Sequence, residues 1–176
     1  MNNGKITLSQ LEQYLSKAAW ILKGPVDAAD FKVYIFPLLF FKRISDVYDE
    51  EYIQALEESG GDVEYASLPE FHRLIIPEGC HWNDVRVVTK NVGQALQYAF
   101  REIEKANQKF LYGIFGDAQW TNKERLSDEL LINLIEHFCI NSLYFGHFIL
   151  YIIFARGCEF AVNRRLIIGN FSDLWL

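Results

Sequence analysis

Basic charge is scarce in this sequence: 17 Lys and Arg stand against 23 Asp and Glu, for a net charge of -6 and a pI near 5.2. Neutralisation of phosphates supplies most non-specific affinity for nucleic acid, so a chain that holds DNA by itself is excluded and a protein partner is expected. Cysteine is scarce too. Cys80, Cys139 and Cys158 have no metal-ligand spacing, and their odd number excludes a disulfide framework, which implies a reducing, cytoplasmic compartment. No apolar run follows Met1–Lys5, so a secretory signal is not expected. The four histidines, His72, His81, His137 and His147, sit in no His-Glu-x-x-His motif, and no Gly-x-Ser-x-Gly supplies a nucleophile elbow. Gly113-x-x-Gly116 lacks the lysine of a phosphate loop. His81 beside Trp82 therefore reads as a packing or hydrogen-bonding pair, and the runs Asp49-Glu50-Glu51 and Glu57-Glu58 as solvated helix faces.

What is present is the composition of a folded protein, 51% hydrophobic and 23% charged over 176 residues, enough for one domain and at most a very small second one. The charge is uneven. Residues 139–176 hold 5 charged side chains, whereas residues 1–138 hold 14 basic and 21 acidic ones. The 18 residues from Phe138 to Ala155 carry no formal charge, which reaches the lower length limit for a transmembrane helix. Asn141, Ser142, Gly146 and His147 dilute that run, so an apolar tail that packs or aggregates is preferred to a membrane anchor.

Helical signals recur before this tail. Thr7 and Gln10, then Ser9 and Glu12, have capping-box spacing, and Leu8, Leu11, Leu15, Ala18 and Leu22 form one apolar stripe that Gly24-Pro25 ends. Asp27 opens a second helix with Asp30 in its first turn, and Phe31–Phe41 is apolar nearly all round, as befits the centre of a bundle. Pro37 predicts a kink or break there, and Gly60-Gly61 a stop. Residues 62–90 are irregular: Phe71–Ile76 reads as a short extended piece or a single helical turn, and Asn83 as the cap of a short helix holding Val85 and Val88. Asn91 and Gln94 cap a helix with Val92, Leu96, Ala99, Ile103 and Ala106 on one face, ending near Asn107. A loop follows around Gly113–Asp117, and Ser127 caps a last helix buried through Leu130, Leu131, Leu134, Ile135 and Phe138. The fold class is all-α, a bundle of about four to six helices with an irregular middle and an apolar C-terminal tail. Arg101, Lys105 and Lys109, spaced i, i+4, i+8, would line one helix face, suited to a phosphate path or an acidic partner, or equally a solvated face balanced by Glu102 and Glu104.

The ordered set Leu15–Gly24, Asp27–Lys32, Leu38-Leu39-Phe40-Phe41-Lys42-Arg43-Ile44-Ser45-Asp46, Ile76-Pro77-Glu78-Gly79-Cys80-His81-Trp82, Asn91–Asn107 and Leu126–Leu131 resembles the opening of the modification (DNA-methyltransferase) subunits of type I restriction-modification systems. The resemblance covers about residues 6–138, a helical N-terminal domain, and stops there. It implies a role in subunit docking and DNA clamping within an adenine-N6 methylation complex, with the specificity subunit and the restriction subunit as partners and DNA met only inside that complex. Lys42, Arg43, Arg101, Lys105 and Lys109 are the candidate DNA or subunit contacts.

In that family a following domain binds S-adenosylmethionine through a glycine-rich loop and carries an Asn/Asp-Pro-Pro-Tyr/Phe motif. This sequence has no Gly-x-Gly, and Pro25, Pro37, Pro69 and Pro77 are never adjacent, so no catalytic, cofactor or metal residues are assigned and the chain alone is expected to be inactive. Residues 139–176 fall outside the resemblance and read as a truncated or frameshifted end. Two other readings are a stand-alone interaction module and a small membrane-associated protein anchored by residues 138–155.

Overall fold

The computed structural model describes residues 8–139, and these form seven α-helices and two 3-10 turns. Four helices are of twelve residues or more: α1 (Leu8–Leu22), α2 (Phe31–Glu58), α5 (Val92–Ala106) and α7 (Asp128–Cys139). The other three, α3 (Val63–Ala66), α4 (Trp82–Arg86) and α6 (Gln108–Leu111), are single turns in the connections. The described residues form the all-α bundle expected from the periodicity. No helix among the described residues is long and apolar enough to cross a membrane. The Thr7 cap, the side chains of Leu8 and Leu11, and the apolar run after Cys139 lie outside the described residues.

The chain runs through Pro37 without a break, so α2 is one helix of 28 residues. Proline removes the donor that the Val33 carbonyl would meet one turn earlier. Val33 is partly exposed, so solvent reaches that turn, while burial of Tyr34, Ile35, Pro37, Leu38, Leu39 and Phe41 favours keeping the helix intact. The stop at Gly60-Gly61 is a Schellman ending. Gly61 N donates to Leu56 O at 2.8 Å and Gly60 N to Glu57 O at 3.2 Å, with both glycines at positive φ.

At the centre, aromatic rings from four parts of the chain meet. Phe41 lies 5.3 Å from Trp82 and 5.4 Å from Phe100, while Phe100 stacks on Phe115 at 4.3 Å and meets Trp120 edge-on at 5.4 Å. All five are buried. Their mutual packing ties α2, α4, α5 and the loop before α7 together with contacts that go beyond simple area burial.

Candidate subunit and DNA interface

The polar groups of this domain hold its elements in place before they could do anything else. Ser45, midway along α2, is buried and accepts a hydrogen bond from Trp82 N at 3.1 Å. The expected Asn83 cap is instead His81. Its Nδ1 accepts from Asn83 N at 3.2 Å while Asp84 Oδ2 accepts from His81 N at 3.0 Å, a capping box in which imidazole replaces the usual hydroxyl. Val85 is in that helix and Val88 lies beyond it. Phe71 closes a 3-10 turn (Pro69–Phe71), and the irregular stretch after it is fixed by Asn107. The buried Asn107 amide accepts from Ile75 N at 2.9 Å and donates to Ile75 O at 2.7 Å and Ile103 O at 2.8 Å.

Asn91 precedes α5 as expected but does not cap it with its own side chain. It adopts φ 56, and the donors at that helix end, Asn91 N and Val92 N, bind the Asp128 carboxylate at 3.0 and 2.9 Å. These backbone donors hold the Asp128 carboxyl below its usual range. Its first-turn neighbour Ser127 caps α7 as the sequence indicates, accepting from Leu130 N at 3.2 Å. Arg86 of α4 makes a two-pronged bond to Glu136 of α7, at 2.7 and 2.8 Å, and that bond pushes the Glu136 carboxyl down.

The five candidate contact residues fall into two groups. Lys42 and Arg43 are largely covered. Lys42 pairs with Asp46 and lies 5.8 Å from the Trp82 ring centre, and Arg43 pairs with Glu50 at 2.8 Å. Both charges are thus already neutralised within α2. Arg101, Lys105 and Lys109 are exposed, but they do not share one helix. Asn107, at φ -121 and ψ 33, ends α5, so Lys109 belongs to α6 and the i+8 register is lost. The break follows from the Asn107 amide: its bond to Ile103 O competes for a carbonyl at the helix end. Lys105 pairs loosely with the exposed Glu102 at 3.4 Å, and Arg101 makes no ion pair among the described residues. Glu104, which the sequence would set against the basic row, instead accepts from Phe115 N at 3.0 Å. The structure adds two exposed rings that sequence reading passed over, Tyr98 on α5 and Tyr112 just beyond α6. Tyr98 lies three residues before Arg101, a spacing visible in the sequence.

The helical order, the buried α2 signature around Ser45, and the Pro77–Trp82 turn packed on it now stand together. The family model of the HsdM N-terminal domain matches residues 11–138. The chain belongs to that family. It carries the N-terminal region of a type I restriction-modification methyltransferase subunit, and the match takes in nearly all of the four long helices, from within α1 to within α7. No curated protein matches the chain. Among the described residues, no group of three or more His, Cys, Asp or Glu is placed to hold a metal ion.

Proposed function

We propose that this HsdM N-terminal domain serves as a recruited scaffold: it docks on the specificity subunit of a type I system and helps clamp DNA for adenine-N6 methylation. The observation that carries the reading is the family match across residues 11–138. It is supported by the surface chemistry, since the exposed basic side chains Arg101, Lys105 and Lys109 follow one another along α5 and α6. Three cations give only weak, salt-dependent affinity alone, so they act when the rest of a complex holds the duplex nearby. Residues 1–138 act as the domain, with residues 139–176 outside it.

Two measurements test this. The chain is expected to co-purify with a specificity subunit, and Arg101→Glu/Lys105→Glu/Lys109→Glu is expected to leave that assembly intact while lowering its DNA affinity and flattening the salt slope. Unchanged DNA affinity in the assembled variant rejects the clamping role. Calorimetric titration of the chain with S-adenosylmethionine is expected to give no binding heat, because the sequence has neither a Gly-x-Gly loop nor adjacent prolines. A stoichiometric heat overturns the view that the donor site lies elsewhere.

A further inference from the structure

The buried side chains of α5, Val92, Leu96, Ala99, Phe100 and Ile103, lie on the inner side of that helix. Successive residues turn by about 100°. Tyr98, Arg101 and Lys105, at i, i+3 and i+7, therefore fall within about 60° of arc on the opposite side, with Gln94 in the same row. Residues three and four apart on a helix are neighbours, so this is one continuous strip on a single rigid element.

Tyr98 is 59% exposed, and Arg101 and Lys105 are exposed beside it. No other large apolar side chain of α5 is exposed. The nearby carboxylates neutralise the strip poorly. Glu104 is committed to Phe115 N at 3.0 Å, Glu102 reaches Lys105 only at 3.4 Å, and Arg101 has no ion pair among the described residues. A single ring among cations and an amide differs from the surface where proteins dock, whose centre is contiguous and apolar. It has instead the two parts of a strand-binding surface, cations for phosphates and an aromatic face for a base. A paired base in a duplex is covered on both faces by its stacked neighbours, so a ring reaches a base face only where the stack has opened.

Resting on the clamping role above, we propose that Tyr98 stacks on an unpaired base while Arg101 and Lys105 hold the adjoining phosphates. This face of α5 then prefers single-stranded or locally opened DNA to intact duplex. Lys109, on α6, and Tyr112, beyond it, are not part of the strip.

The full chain is titrated with a single strand of about ten nucleotides and with a hairpin duplex of the same sequence. At about 0.1 M salt, screening over about 10 Å lets the local cations outweigh the distant net charge. The single strand is expected to move amide resonances of residues 94–105 and to shift the Tyr98 ring protons upfield, the mark of a base lying on the ring. It should bind at least about five-fold more tightly than the duplex. Tyr98→Leu is expected to remove that preference and leave the slope of log affinity against log salt unchanged, while Tyr98→Phe keeps both. Arg101→Gln/Lys105→Gln should lower the slope by about 1.4. Absence of the ring shift, equal binding of the two DNAs, or no binding to either overturns the proposal. Wild-type behaviour of Tyr98→Leu beside a lowered slope in the glutamine variant sinks the stacking alone and leaves the clamping role standing. An unchanged slope removes the cations, and with them both readings.

Discussion

Gly93 is the residue where the fold has least room. It lies in the first turn of α5, and a Cβ built there would overlap the Trp120 carbonyl oxygen and stand 2.8 Å from its carbon. That oxygen belongs to backbone, which cannot swing aside as a side-chain tip can. Gly93→Ala should therefore cost about 1–3 kcal/mol despite alanine's better helix propensity, seen as a lower urea midpoint at unchanged m. A stabilised variant would show that the loop carrying Trp120 is free to move. Asn107 is the comparable polar case. Replacing it with Ala deletes three hydrogen bonds and leaves the Ile75 backbone groups without their partner, at about 2–4 kcal/mol. Neither role was legible beforehand. Gly93 looked like an ordinary position after Asn91, and Asn107 like the place where an apolar stripe ran out, because both depend on segments distant in sequence.

Among the elements, local patterns and long-range bonds divided the work. The stripe of α5, the Ser127 cap and the Gly60-Gly61 stop were readable because their causes lie within one helical turn. The α2 helix outlasted Pro37, and α5 took its cap from Asp128, because packing and a carboxylate from another helix decide those cases. The basic row shows the same limit: spacing correctly found exposed cations but could not foresee that Asn107 would split them between two helices. The borrowed cap has a consequence for acid stability. Asp128 and Glu136 both have native carboxyl groups held below their ordinary values of 3.8 and 4.5, by backbone donors and by Arg86 respectively. The unfolded chain therefore takes up protons first as pH falls. Stability from these groups is complete above about pH 4.5 and is lost as pH drops through the lowered native values. Asp128→Asn, which does not titrate, should flatten that part of the acid limb in urea unfolding between about pH 5 and 3. An acid limb identical to the wild type would remove Asp128 from the account.

For the whole molecule, the decisive contact joins helices at opposite ends of the described chain. Tyr14 of α1 donates its hydroxyl to the His137 carbonyl at 2.9 Å, His137 Nε2 donates to the Tyr14 carbonyl at 3.0 Å, and the two rings stack at 4.3 Å. Burial pushes the Tyr14 phenol up. Burial, aided by Lys17 and opposed by the hydrogen bond to Tyr14, pushes the His137 imidazole down from 6.5. Since the folded value is the lower one, the unfolded state binds the proton first below about pH 6.5. The clasp is complete above that pH and weakens as the pH falls towards the native value. Because α1 packs on both α2 and α7, opening this clasp exposes apolar surface on all three helices at once. Tyr14→Phe removes the hydroxyl bond but keeps the ring, so it should cost about 1 kcal/mol. Amide exchange should then quicken in α1 and α7 together by about five-fold, as in a single cooperative unit. Faster exchange confined to α1 would mean instead that the first helix frays from a bundle able to stand without it, and that α2, α5 and α7 alone are the scaffold offered to a partner.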